Sequence, residues 1–517
     1  MSPTIATPTF LGIDLTELLV SGHTQSFDLI SPLDAKVLAS IPAAGPDEVT
    51  SAVHTARSCQ PRWARVPVTE RAHCLLRLHD LLLDHQADLL DLICRESGKS
   101  RMDAYQELVH LALTARYYGR RAPALLRTRR GRGVFPGLTR IDLNRNPKGV
   151  VGLITPWNYP LSMAMCDGLA ALVAGNTVVA KPDSQTVLTA LAGSVLLHAA
   201  GVPAEAWQVI AGPGRELGPT LVAATDMLCF TGSTATGRLL AAATGAQLKS
   251  ISAELGGKNA LIVRADADLA RAAADAVHAC FDNAGQLCVH VERILVDQRV
   301  HDDFRDEFVT RIREMRLAPG LDWANDMGTL ASPAQLARVQ AHLDDAVAHG
   351  ATVLTGGRAR PELAPWFFEP TVLTDVADSA ECHLTETFGP LAALYPVKGD
   401  AAAIRLANRG RQGLNAAIFT GDPAAGRAMA RKLRAGTVNI NEGYAAAIAS
   451  IDAPMGGMGD SGMGRRHGAE GLYRFTETQS VATQRLIPIS SRAGLPAERF
   501  AGALTGGLRV LRRLPIP

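Results

Sequence analysis

Long apolar runs, paired cysteines, internal repeats and an excess of either charge are all missing from this chain. No stretch of about 18 apolar residues exists, so no helical span of a bilayer is expected. The opening text, MSPTIATPTFLGIDL, lacks a basic segment followed by an apolar one and does not read as a secretory signal. Eight cysteines (59, 74, 94, 166, 229, 280, 288 and 382) are scattered, with no CxxC pair and no histidine at zinc spacing. That pattern speaks against a disulfide frame or a metal site and for reduced thiols in the cytoplasm. With 52 basic against 50 acidic residues the formal net charge is +2, which supplies no field for nucleic acid or an acidic membrane, so neither partner is expected. The one basic run, Arg120 to Arg132, has no interleaved aromatic residues to stack on bases and reads as a solvated connector.

What is present is length and alternation. The chain has 517 residues, 47% hydrophobic and 20% charged, the balance of a soluble globular protein with about three domains. Leu75, Leu78 and Leu82 recur at helical steps within 66–98. Beyond the basic connector, short apolar runs alternate with helical text and end in polar or glycine-bearing loops. Gly149–Ile154 runs into Thr155-Pro-Trp-Asn158, Thr177–Ala180 into Lys181-Pro182, and Met227–Phe230 into Thr231-Gly-Ser-Thr-Ala-Thr-Gly237. Continuous apolar runs suit strands buried on both faces, and such strands between helices predict a parallel α/β sheet. Ligands in that architecture sit beyond the carboxyl ends of the strands, where all three loops fall.

A cysteine in a long chain is ordinarily a small buried hydrophobe, and that reading suits seven of the eight. Cys229 and Cys280 in particular stand in apolar strand or helix text. Cys288 differs in its surroundings: it follows an Asn283-Ala-Gly285 turn, where backbone can approach a substrate closely. Upstream, Glu254 precedes the Gly256-Gly257 turn that opens the run Ala260–Val263. Glutamates are ordinarily solvated, but a carboxylate beside a thiol would take a proton from thiol or water. Asn158, between Pro156 and Pro160, reads either as an Asx turn or as a stiffly held oxyanion donor.

Taken together these pieces resemble the aldehyde dehydrogenase superfamily over nearly the whole chain. The matching text is P-W-N at Pro156 to Asn158, K-P at Lys181, F-T-G-S-T-x-x-G at Phe230 to Gly237, and E-L-G-G-K at Glu254 to Lys258. It continues with G-Q-x-C at Gly285 to Cys288, E-T-F-G-P at Glu386 to Pro390, and G-T-V-N-I-N at Gly436 to Asn441. The resemblance implies a Rossmann-like cofactor domain (1–127 with 148–255), an α/β catalytic domain (256–455), and a small oligomerisation sheet with a tail (128–147 with 456–517). It implies Cys288 as nucleophile, Glu254 as base and Asn158 as oxyanion donor, in a reaction that passes hydride to nicotinamide and hydrolyses a Cys288 thioester. For the cofactor it implies Lys181 at the adenine ribose, Ser233 at a phosphate, Glu386 at the nicotinamide ribose and Phe388 beside the ring. Thr155, Pro156, Trp157 and Leu255 would line the same cleft. Gly232 and Gly237 form G-x4-G at a helix start, suited to a pyrophosphate, and not the dinucleotide pattern G-x-G-x-x-G.

Within the superfamily the whole chain, including Pro454-Met-Gly-Gly-Met-Gly459 and Gly464-Arg-Arg-His-Gly468, most resembles bacterial succinate-semialdehyde dehydrogenases of the second type. Succinic semialdehyde is therefore the expected substrate. Better-known members carry arginines near the pocket where this chain has Cys166 and Asp282. Arg293 and His290 are the nearest basic residues to Cys288, each more readily read as facing a strand partner. The opposing reading takes Met455 and Cys166 as parts of an apolar funnel for aromatic or medium-chain aldehydes. A CoA-acylating enzyme does not suit the presence of Glu254, and a non-catalytic member does not suit an intact nucleophile, base and oxyanion donor. Ser184 stands three residues after Lys181, where NAD-specific relatives place a glutamate; NADP is expected, with NAD as the alternative, and Asp183 is the complication. Thr476–Gln484 reads as an edge strand in need of a partner, so a homodimer or homotetramer is expected. The basic, amphipathic segment Phe500–Arg513 is expected to pack on a neighbouring subunit rather than on a membrane.

Overall fold

The computed structural model describes residues 8–22, 25–133, 139–485 and 494–513. They form two compact units, Met1–Leu125 with Pro147–Thr476 and Leu126–Asn146 with Glu477–Pro517. No helix among the described residues is long and apolar enough to cross a membrane.

The larger unit holds two sheets. In the first, β1 (Val150–Ile154), β2 (Thr177–Lys181), β3 (Trp207–Val209), β4 (Met227–Thr231) and β5 (Ser250–Glu254) run parallel in the order β5-β4-β1-β2-β3. Gly462–Met463 adds antiparallel to the outer edge of β5. Between the strands lie α1 (Pro160–Val173), α2 (Val187–Ala199), α3 (Gly214–Ala224) and α4 (Thr234–Gly245). The expected parallel α/β sheet is thus found, and its cause is in the text: the interiors of β1, β2 and β4 are continuous apolar runs because helices cover both faces. Pairing sets Ile154 beside Lys181 and Phe230, and Thr231 beside Glu254. Four strand ends therefore align, and the loops that follow them share one edge.

The second sheet comprises β6 (Asn259–Val263), β7 (Val291–Asp297), β8 (Thr352–Thr355), β9 (Thr371–Thr374), β10 (Leu391–Val397), β11 (Asn415–Phe419) and β12 (Thr437–Ile440), in the order β8-β9-β10-β7-β6-β11-β12. Only the β8–β9 pair is antiparallel. Leu261, Ile294, Leu295 and Ile418 are completely buried under α5 (Leu269–Phe281) and neighbouring helices. A four-residue connection from Glu254 to Asn259 joins the two sheets, so the carboxyl edge of the first faces the start of the second.

In the smaller unit Thr476–Gln484, Thr139–Pro147 and Arg129–Arg132 form a three-stranded sheet in that order, and the helix Ala497–Leu511 has no buried side chain. The expected small-sheet segment 456–517 divides. Residues up to Thr476 fold with the larger unit, because Gly462–Met463 pairs with β5 and Leu472 and Phe475 are completely buried there. Residues 134–138, 486–493 and 514–517 of that expectation lie outside the described residues.

Candidate active site

The loop after β1 turns at Pro156-Trp-Asn-Tyr159 and enters α1 at Pro160, a residue pre-set for a first helical turn. Asn158 is buried. Its Nδ2 donates to the Gln286 carbonyl at 2.9 Å, and its own carbonyl accepts from Lys99 Nζ at 2.7 Å and Asn283 Nδ2 at 3.1 Å. Lys99 is completely buried and paired with Glu107 at 3.0 Å, while Glu107 accepts from the backbone N–H groups of Leu161 and Ser162. A carboxylate thus satisfies donors that the α1 N-terminus would leave orphaned, and the same ion pair clamps the Asn158 loop.

Asn283, Ala284 and Gly285 occupy the left-handed region in succession, with φ of 52°, 53° and 70°. At Gly285 a Cβ would lie 2.2 Å from the Gly389 carbonyl oxygen, so the turn needs glycine there. The chain then reaches Cys288 just ahead of β7. Asn259 Nδ2 donates to the carbonyls of Cys288 and His290 at 2.8 and 2.7 Å, and Asn415 Nδ2 to that of Val289 at 2.9 Å. Two asparagines at strand starts therefore fix the thiol loop. Of the eight cysteines only Cys288 is less than fully buried.

Glu254, the last residue of β5, is buried, and its Oε1 has no hydrogen-bond partner among the described residues. Glu386 Oε1 accepts from the Gly257 N–H at 3.0 Å. Phe388 stands edge-on to Trp157, ring centres 5.6 Å apart. Its loop is held by Glu292, which accepts from the Thr387 and Phe388 N–H groups and pairs with Lys258.

One cavity of about 260 Å³ collects Pro156, Trp157, Asn158, Gly232, Ser233, Glu254, Leu255, Cys288, Glu386 and Phe388. Thr155, Lys181, Ser184 and Gly237 are not in its wall. Lys181 is buried at the end of β2 and donates to the Pro182 carbonyl at 3.1 Å. Ser184 donates to the Gly212 carbonyl at 3.0 Å. Gly237 lies inside α4, where a Cβ would meet Leu255 at 2.5 Å. Ser233 caps that helix, its Oγ accepting from the Thr236 N–H. A buried ammonium and a helix N-terminus along one sheet edge, with the accepting Glu386 carboxyl on a loop of the second sheet, offer the donors and acceptor that a dinucleotide's phosphates and ribose hydroxyls can use.

Arg293 is not a pocket residue: it donates to the carbonyls of Lys258, Leu406 and Ala407. His290 is buried edge-on against Phe388. Cys166 is buried with His110 and Thr114 and does not line the cavity, whereas Met455 does. Sequence reasoning missed Arg466, a buried cation in the cavity wall, and the Lys99–Glu107 clamp. Arg466 Nη2 pairs with Asp167 at 3.1 Å, and its backbone bridges to that of Met455. No local pattern flags such groups, because their partners are 299 and 59 residues distant.

Residues 19–481 match the aldehyde dehydrogenase family. The chain belongs to that family. It is 46% identical, over 95% of both chains, to a Mycolicibacterium smegmatis protein provisionally named succinate-semialdehyde dehydrogenase [NADP(+)]. It is 34% identical to the mitochondrial succinate-semialdehyde dehydrogenase of Oryza sativa, covering 89% of this chain and 87% of that one. Among solved structures, an Escherichia coli NADP-dependent enzyme superposes with a TM-score of 0.86 at 34% identity, over 90% of this chain and 96% of the other. Betaine aldehyde dehydrogenase from Staphylococcus aureus, solved with NAD+, gives 0.86 at 29% identity, over 91% and 94%.

In this aldehyde dehydrogenase the two cavity carboxyls Glu254 and Glu386 and the Cys288 thiol are all shifted toward neutrality. Burial raises Glu254 to about 7, against the opposing pull of Arg466, Arg474 and Arg465. Burial also raises Glu386 to about 7, with Glu292 adding to it. The Cys288 thiol is pushed up to about 12 by burial, with Arg466 opposing and Glu386 and Glu254 reinforcing. A thiol so held stays protonated at neutral pH and needs a base to become a nucleophile.

Proposed function

We propose that this enzyme oxidises succinic semialdehyde to succinate with NADP, through a thioester on Cys288. The observation that carries the chemistry is one cavity holding the only incompletely buried cysteine, an unpartnered carboxyl and a clamped asparagine. Glu254, raised to about 7, takes the thiol proton. The thiolate bonds to the aldehyde carbon, and the resulting oxyanion is held by Asn158 Nδ2 and the Cys288 N–H. NADP, when bound, supplies the hydride acceptor that turns this adduct into a thioester. Glu254 gives up the thiol proton to solvent and then takes a proton from water, whose oxygen bonds to the acyl carbon. The Cys288 sulfur leaves and receives that second proton, which regenerates the thiol and the Glu254 carboxylate. Retention of Glu254 favours hydrolysis over transfer to CoA. Lys181 and Ser184 would hold the adenosine end, Gly232, Ser233 and the α4 N-terminus the pyrophosphate, and Glu386 the nicotinamide ribose, between Trp157, Leu255 and Phe388.

The substrate rests on the names of the Mycolicibacterium smegmatis and plant relatives, and NADP on the former name and on the neutral Ser184. A second reading, neutral aromatic or medium-chain aldehydes, is favoured by Met455 in the cavity wall. Comparing kcat/KM for succinic semialdehyde with benzaldehyde and hexanal, by absorbance of the reduced cofactor, separates the two. A tenfold advantage corresponds to about 1.4 kcal/mol of transition-state discrimination; if the neutral aldehydes win by that margin, the succinic semialdehyde assignment falls. We place the enzyme in the cytoplasm, in keeping with eight free cysteines, as a homodimer or homotetramer assembled through the exposed edge of Thr476–Gln484.

A further inference from the structure

The polar groups around the cavity are short of partners in a consistent way. The Tyr159 and Ser162 hydroxyls, Arg466 Nε and Glu254 Oε1 are buried without a hydrogen-bond partner among the described residues, and all four residues line the same cavity. Three of the four are donors. An unmet buried polar group costs about 1–3 kcal/mol, so donors gathered on one space mark a ligand that accepts.

Charge points the same way. Asp167 pairs with Arg466 at 3.1 Å and with Arg474 at 2.5 Å, and all three side chains are at most 11% exposed. Two guanidiniums against one carboxylate leave one positive charge in excess. Glu254 does not cancel it fully at neutral pH, since burial holds that carboxyl at about 7. The guanidinium of Arg466 is also unsaturated: Nη2 serves Asp167 and Thr231 Oγ1, whereas Nη1 meets the Met163 thioether, a weak acceptor. The other cavity cation, Arg338, is exposed and donates to the Glu386 carbonyl. His110 is kept neutral, burial lowering it to about 4.

We propose that Arg466, with the Ser162 and Tyr159 hydroxyls, holds the carboxylate at the far end of the aldehyde substrate and so sets specificity for an aldehyde acid. This rests on the succinic semialdehyde reading above and assigns the anchor to residues other than Cys166 and Asp282. An arginine fork with open N–H groups matches a carboxylate's two oxygens, and the excess charge meets its counter-ion only when substrate is present.

The test is the ratio of kcat/KM for succinic semialdehyde to that for butanal, which has the same chain length and no carboxylate. The wild type should favour the acid, and Arg466→Met should cut the ratio roughly 30-fold or more, mainly through KM for succinic semialdehyde. Arg466→Lys should restore part of it, keeping charge without the fork. Ser162→Ala removes a hydroxyl that has no partner in the fold and should lower the ratio by a few fold. It also provides a measurement if the Met variant does not fold. A wild-type preference that survives in every folded variant overturns the anchor while leaving the substrate reading intact. A wild type with no preference overturns that reading, and the anchor with it.

Discussion

At the scale of single residues, the chemistry reduces to which buried groups carry protons at neutral pH. Cys288→Ala should abolish oxidation while leaving cofactor binding, read by fluorescence titration, because the proposed ribose and phosphate contacts lie on other loops. Turnover above a trace would mean that another cysteine is the nucleophile. As the proposed general base, Glu254 must be ionised to act, and burial raises it from 4.5 to about 7. The rate of thioester hydrolysis should therefore fall as pH drops through about 7 and level off above it. Glu254→Gln should lose roughly a hundredfold or more, flatten that profile and let an acyl adduct on Cys288 accumulate in the mass spectrum. Ser184→Glu puts a carboxylate where a 2′-phosphate would lie, so the NADP to NAD ratio of kcat/KM should shift toward NAD. A wild type that already prefers NAD would remove the ground for that expectation.

Elements decide where those residues point. The thiol loop owes its course to three successive left-handed residues followed by two asparagine clamps. Gly285→Ala would bring a methyl group against the Gly389 backbone, which belongs to the loop carrying Glu386 and Phe388. We expect a destabilisation of about 2 kcal/mol or more, seen as a lower melting temperature, together with impaired turnover. An unchanged melting temperature would show that the two loops separate freely. Much of this was legible in the chain. The Asn-Ala-Gly turn, the Gly-Gly pair after Glu254 and the strand-end loops are local patterns, and local backbone preference survives in the fold. The Lys99–Glu107 clamp was not legible, since its meaning comes from Asn158, 59 residues away.

For the whole molecule, assembly remains the property to be measured. Val481 lies in the Thr476–Gln484 strand and is 40% exposed. Sedimentation should give a species of at least twice the 54.7 kDa chain, and Val481→Pro, which deletes a strand N–H, should shift it toward smaller species. A native protein that sediments as a single chain would exclude the edge-strand assembly. The family and the parallel sheet could be read from the chain alone, as could the candidates Cys288, Glu254 and Asn158 that one cavity gathers, because short motifs in order and continuous apolar runs are encoded in adjacent residues. The arginine cluster could not. Arg466 and Arg474 reach Asp167 across 299 and 307 residues, and burial raises the Glu254 carboxyl beside them. Folding alone could say which cation faces the cavity, since desolvation and unmet donors arise when distant segments exclude water together.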